Sequence, residues 1–215
     1  MQAAPASYQI LEIWLDYIED LSEKGLKTLI EARGEKELLL LFRRQQLAPP
    51  QLSYERRLDY IKFLTALSLN DDLMLDFDIR EQRAEIEWLK THTHSTPLVL
   101  SYHNYQATPT NAELRLISNE MSLNKACIYK FSTYCQTRTD ALRLLELLLE
   151  LRSEEKRCTV LGMGADAIIT RLFGPIWGSE IAYAPQVMAN SSAPGQLTLE
   201  ELQRLLGQLK VIHER

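Results

Sequence analysis

Short apolar runs alternate along the chain with longer stretches in which apolar residues recur every three or four positions. The short runs are "QILEIWL" (9–15), "ELLLLF" (37–42), "LMLDFDI" (73–79), "PLVLSYH" (97–103), "ACIYKF" (126–131), "CTVLGM" (158–163) and "EIAYA" (180–184). Each has the length and the aliphatic and aromatic content of a buried strand. The longer stretches, 18–33, 51–68, 80–91, 110–121, 136–154, 164–173 and 198–210, have the helical period. The clearest is "TDALRLLELLLELRSEEKR", with Thr139 or Asp140 placed to cap it. Strand–helix repetition builds parallel strands joined by helical crossovers.

Seven such units with no Gly-rich phosphate fingerprint predict an α/β fold of the TIM-type (βα) barrel rather than a dinucleotide-binding sheet. A closed barrel of this kind takes eight strands, so about seven parallel strands predict an incomplete one. "LGMGADA" places two glycines around Met163 but does not match GxGxxG, and is a weak nucleotide signal. Pro49-Pro50 and "ANSSAPGQ" (189–196) are the strongly loop-like stretches. Without an internal linker the reading is a single domain over 1–215.

Bulk composition narrows the function classes. The formal net charge of −5 argues against a general nucleic-acid surface, which is normally basic. No apolar run reaches the length of a bilayer span, and "MQAAPASYQIL" lacks the basic start and apolar segment of a signal peptide. Cys127, Cys135 and Cys158 are odd in number and contain no CxxC, which fits free thiols in a reducing compartment. These features predict a cytoplasmic protein with neither a membrane nor a nucleic-acid partner.

In TIM-type barrels the chemistry sits at the C-terminal ends of the strands and in the loops that follow. Those positions are Glu12, Arg43, Asp78, His103, Lys130, Met163 and the loop after Tyr183. Lys130 stands inside the apolar run "CIYKF", and lysine is almost never fully buried unless paired or engaged in chemistry. A desolvated lysine has its ammonium form disfavoured and offers a nucleophilic amine. A histidine on a neighbouring strand, His103, moves protons near neutral pH. The pair is the minimum equipment for Schiff-base chemistry on a ketone or aldehyde. The plainer readings are a lysine whose head reaches solvent and a histidine bonded to a loop carbonyl. His92 and His94 in "THTH" lack a third ligand, so no metal site is predicted. Arg171 in "IITRLFG" follows a glycine-rich strand end, where a guanidinium can clamp a carboxylate bidentately. "NSSAPGQ" would make a flap with hydrogen-bonding tips. Together these groups point to a small hydroxylated keto acid.

At these residues the sequence resembles type I 3-dehydroquinate dehydratase, the shikimate-pathway family of aromatic amino acid biosynthesis. "VLSYHNYQATP" resembles the family strand ending in Ser-x-His-Asp-Phe-x-x-Thr-Pro, which puts His103 in the place of the catalytic histidine. "CIYKFS" resembles the strand carrying the Schiff-base lysine, which makes Lys130 that residue. "GMGADAIITRLFGPIWGSEIAYA" resembles the segment Ser-Met-x-x-x-Gly-x-x-Ser-Arg-Leu-x-Gly followed by Phe-Gly-Ser. It implies that Arg171 binds the substrate carboxylate and that Met163 lines the pocket. "SSAPGQLTLEEL" is similar to the family's lid, so Ser192 and Gln196 would close over the substrate. The implied reaction is dehydration of 3-dehydroquinate to 3-dehydroshikimate. Lys130 would form the iminium, His103 would act as general acid and base, and no metal or organic cofactor is needed.

The N-terminal half departs from that pattern. "YQILEIWLDYIEDL" resembles the family's Leu-Glu-x-Arg-x-Asp strand, so Glu12 is retained where the family binds substrate hydroxyls, but the arginine two residues later is Trp14. "LLLLFRRQQLAPP" resembles the strand ending in Phe-Arg, with Arg43 in place of that substrate-binding arginine. The glutamate that follows in the family, which orients the catalytic histidine, is Leu47 here, and Asn104 stands where aspartate is usual. The chain also starts about one βα unit later than the family does. An incomplete ring predicts that its open edges are covered by segment 1–8 or by a second subunit, that is, a homodimer. Two further readings share the scaffold: a Schiff-base enzyme acting on a different cyclic keto acid, and a non-catalytic binding or regulatory homologue.

Overall fold

The computed structural model describes residues 8–42, 52–67 and 72–213, except for the side chains of residues 190 and 210–213. Six strands lie in one sheet in chain order: β1 (Ile10–Trp14), β2 (Glu37–Leu41), β3 (Leu73–Asp78), β4 (Leu98–Asn104), β5 (Ile128–Tyr134) and β6 (Cys158–Met163). A helix follows each: α1 (Glu23–Glu31), α2 (Tyr54–Ala66), α3 (Arg83–Thr91), α4 (Asn111–Leu123), α5 (Arg138–Ser153) and α6 (Ile168–Ile176). A last helix, α7 (Leu199–His213), ends the described chain.

The chain forms two compact units. The first, residues 1–100 with 124–127, holds β1 to β3, the start of β4 and the helices between them. Its strands pair in parallel, Glu12 opposite Leu39 and Trp14 opposite Leu41, then Leu41 opposite Asp76. Leu38, Leu39, Leu40 and Leu41 are all buried, because a parallel strand covered on both faces has no polar side to offer water. Arg57 on α2 meets buried Glu85 on α3 at 2.7 Å and thereby neutralises a carboxylate taken out of water.

The second unit, residues 101–123 with 128–215, holds the end of β4, β5, β6 and helices α4 to α7. Lys130 pairs with Thr159, and Tyr134 with Met163. Helix α5 begins at a capping box, in which Thr137 accepts from the Asp140 amide and Asp140 accepts from the Thr137 amide. The N-cap is therefore Thr137, ahead of the Thr139 or Asp140 expected from pattern alone, because the reciprocal pair satisfies two amides at once. Its leucines 144, 145, 147, 148 and 151 are buried.

The seventh predicted strand does not form a ladder. Residues 180–184 run beside β6, where the Glu180 amide donates to the Cys158 carbonyl at 2.7 Å. The next rung of a parallel ladder would run from the Val160 amide to the Glu180 carbonyl, but that amide donates to the Ser179 hydroxyl at 3.3 Å, while the Ile181 amide donates to the Thr159 hydroxyl at 3.0 Å. A side chain thus takes the place of the next rung.

Candidate active site

Lys130 is the third of seven residues of β5 rather than the strand end, since the ladder continues to Tyr134. It is 4% exposed, and its Nζ lies 4.5 Å from the centroid of the Tyr183 ring. The aromatic face gives a buried ammonium an electrostatic partner. Sequence pattern does not single out Tyr183 itself. Its only signal is being the aromatic of "EIAYA", a run that pattern alone makes a strand.

His103, 9% exposed, is the penultimate residue of β4, the strand next to β5 in the sheet. Its ring runs near-parallel to that of Tyr105, with centroids 6.1 Å apart. Asn104 Oδ1 accepts from the amides of Gln106 and Ala107, and so starts the loop as an Asx turn. A side-chain carboxylate would make the same turn. The loop returns to β5 through Thr108, whose hydroxyl lies 2.8 Å from that of Thr133 and donates to the Tyr134 carbonyl at 3.0 Å.

Arg171, on the first turn of α6, is 6% exposed, and its Nε and Nη2 are buried without a hydrogen-bond partner. Burial pushes the guanidinium down to about 10. A buried cation with two unmatched donors is costly, and an incoming carboxylate would satisfy both. Arg171 and Tyr183 line the same small cleft, of about 20 Å³, between β6, α6 and the 180–184 segment. Tyr183, which lines the cleft, also faces Lys130, which does not line it.

Met163 ends β6 and is buried. The two glycines flanking it have structural work. A Cβ at Gly162 would stand 2.5 Å from that of Ala167, so the strand and the following turn pack at backbone distance. Gly164 adopts φ +94. Its amide donates to the Pro194 carbonyl at 3.1 Å, which ties the 191–196 loop to the strand end. Within that loop the Gln196 carboxamide accepts from the Ser192 amide and the Ser191 hydroxyl, each at 2.9 Å. Its Nε2 donates to the Ser192 hydroxyl at 3.3 Å. Gln196 is buried while Ser192 is exposed. His103, Lys130, Met163, Arg171, Ser192 and Gln196 all belong to the second unit.

Glu12 and Trp14 lie two apart on β1, hence on the same face of the strand, in the first unit. The Trp14 indole donates to Glu12 Oε1 at 3.0 Å, and its ring meets that of Tyr17 at 5.8 Å. Asp78 accepts from the amides of Arg80 and Glu81 and so builds the turn after β3. Arg43 and Leu47 lie outside the described residues, as does most of segment 1–8. His92 stacks on Trp88 at 4.0 Å with Nδ1 2.7 Å from the Trp88 carbonyl. Among the described residues no group of three or more metal-type side chains converges, and no helix is long and apolar enough to cross a membrane. All three cysteines are free thiols, with Cys135 and Cys158 buried and Cys127 half-buried.

A family model described as type I 3-dehydroquinase matches residues 1–213. A 3-dehydroquinate dehydratase of Methanosarcina barkeri is 30% identical, over 95% of this chain and 87% of the relative. Another, from Methanosarcina acetivorans, is 28% identical over 97% of this chain and 88% of its own length. Among solved structures, a type I 3-dehydroquinate dehydratase from Clostridium difficile with covalently modified comenic acid superimposes with a TM-score of 0.82 at 24% identity. That match covers 96% of this chain and 83% of the other. The likeness makes the parallel strand–helix order that of a TIM-barrel-type fold.

Proposed function

The chain belongs to the type I 3-dehydroquinase family, and from that premise we propose that it dehydrates 3-dehydroquinate to 3-dehydroshikimate through a Schiff base on Lys130. The observation that carries this reading is Arg171. A buried guanidinium with two unmatched donors shares a cleft with the tyrosine that faces Lys130. A keto acid would bring its carboxylate to the one and its ketone to the other.

Lys130 Nζ adds to the ketone to give a carbinolamine, which loses water to an iminium. The iminium draws electrons from the adjacent carbon, so the C2 proton becomes removable without a metal or organic cofactor. His103 takes that proton, returns one to the departing C1 hydroxyl, and assists imine formation and hydrolysis. Met163 forms an apolar wall, and Ser192 and Gln196 close the site. Glu12 is assigned to the substrate hydroxyls, and Arg43 is assigned to substrate binding. The cytoplasm is the compartment expected for the reaction, since three free thiols suit a reducing one, and a homodimer is the assembly expected with it, which light scattering checks.

The Trp14–Glu12 bond favours one second reading, a cyclic keto acid with fewer hydroxyls. One acceptor oxygen of Glu12 is already taken by a neutral indole.

The test is incubation with 3-dehydroquinate and borohydride, read by intact mass, alongside dehydroshikimate formation by absorbance. Turnover with a reduced adduct that Lys130→Ala abolishes is the expected result. An adduct without turnover points to the second reading. An adduct that survives Lys130→Ala, or neither signal, overturns the proposal.

A further inference from the structure

The first unit contains a pocket that none of the residues assigned to the reaction lines. It has a volume of about 350 Å³ and lies between the C-terminus of α3, the 92–97 segment and the turn at 124–127. That is the low end of the volumes in which small molecules bind. Its chemistry is one-sided. Lys90, Lys125, His92 and His94 line it with three threonines, a serine and an asparagine, and no carboxylate does. The chain as a whole carries a net charge of −5, so the local sign runs against the global one.

Two of the four basic groups are held by their neighbours. The Lys90 ammonium is 3.4 Å from Glu87, and His92 Nδ1 faces the Trp88 carbonyl. The other two are placed at a cost. Lys125 sits at φ +58, a left-handed conformation that glycine or asparagine adopts with less strain than lysine. His94 Nδ1 is buried and has no hydrogen-bond partner. Burial lowers the His94 pKa, backbone groups of Thr96 and Leu89 offset part of that, and the Lys125 charge lowers it further. Lys125 and His94 are therefore within electrostatic reach of each other with nothing anionic between them in the lining. An anion bound there would offset the Lys125 charge, favour the protonated ring of His94 and take hydrogen bonds from the surrounding hydroxyls.

We propose that this pocket binds a tetrahedral oxyanion, phosphate either free or as the ester of a small molecule. Lys125 supplies the point charge, His94 a donor, and the threonine and serine hydroxyls the remaining hydrogen bonds.

Inorganic phosphate and glycerol 3-phosphate are titrated separately into the full chain at ionic strength held constant with chloride. Binding is followed by the His94 ring resonances in NMR and by tryptophan fluorescence, Trp88 being stacked on a lining histidine. The expected result is a saturable shift at His94, with affinity at least about tenfold weaker in Lys125→Asn, a variant that tolerates the left-handed backbone. Lys125→Gly serves if the asparagine variant fails to fold by its thermal melt. Saturation by phosphate alone assigns the free ion, by the ester alone the ester, and by both their shared group. A shift that does not saturate, one that chloride reproduces, or binding unchanged in a folded Lys125 variant overturns the proposal.

Discussion

Lys130 and Tyr183 meet as cation and ring, with Nζ 4.5 Å from the centroid, although one lies in the middle of β5 and the other in a segment that never completes a strand. The contact fixes a four-carbon side chain that would otherwise sample many rotamers. It therefore bears on how often the amine stands where a ketone can reach it. If the ring face is what matters, Tyr183→Phe keeps borohydride trapping within about twofold of the parent. Tyr183→Leu slows it by about 3- to 30-fold, the range of one cation–π contact. Equal trapping rates in the phenylalanine and leucine variants would show that the ring does not position Lys130.

Much of this arrangement is legible in the residues themselves. Lys130 and His103 stand out because a titratable group inside an apolar strand pattern is a physical anomaly in its own right. The strand–helix alternation is readable for a related reason, since covered parallel strands and amphipathic helices have different periods. What pattern does not supply are relations between distant segments. "EIAYA" has strand composition, yet the Ser179 hydroxyl captures the Val160 amide, and no local signal marks a side chain that replaces a rung. The glycines around Met163 have the look of a faint phosphate loop. Their reason is the closeness of Ala167 and of the 194–195 loop, which only folded geometry reveals.

Trp14 is a neutral donor, and its indole reaches Glu12 Oε1 at 3.0 Å. It holds one carboxylate oxygen, which orients the other. Trp14→Phe keeps most of the ring volume and the neighbourhood of Tyr17 while deleting the donor. A hydrogen bond to a charged group is worth about 1.5–3 kcal/mol. On the reading that Glu12 holds a substrate hydroxyl, KM for 3-dehydroquinate should rise by about tenfold or more, with the mass of the trapped Lys130 adduct unchanged. Steady-state kinetics that show the same KM in both proteins would remove Trp14 from any part in substrate binding.

The 191–196 loop is held against the end of β6 at backbone distance. Gly195 adopts φ +80, and a Cβ there would come 2.5 Å from the Gly164 carbonyl oxygen. Gly195→Ala therefore meets two obstacles at once, a left-handed backbone costing about 1–2 kcal/mol and a clash with main chain that cannot rotate away. The loop should lift, losing the bond from the Gly164 amide to the Pro194 carbonyl. Because the loop is on the surface, the thermal midpoint should move little, while kcat/KM falls by about tenfold or more and proteolytic cleavage within 189–196 quickens. Cleavage and turnover both at parental rates would mean that the docked loop is dispensable.

Burial of Cys158 at the start of β6 pushes its thiol up to about 11, with desolvation the main cause and the Arg152 charge a partial offset. The folded state thus keeps this proton at pH values where the unfolded chain has released it. Proton binding is greater in the folded state between about 9 and about 11, so stability falls as pH rises through that window. Cys158→Ala removes the group, and its thermal midpoint should decline less steeply than the parent's from pH 9 to 11, whatever the other titrating groups contribute to both. The same thiol, protonated and enclosed at about pH 8, should resist iodoacetamide in the folded protein, as should Cys135, whose pKa burial also raises. Half-buried Cys127 should react first. Mass spectrometry that finds Cys158 labelled ahead of Cys127 would place the thiol in reach of solvent and undo both expectations.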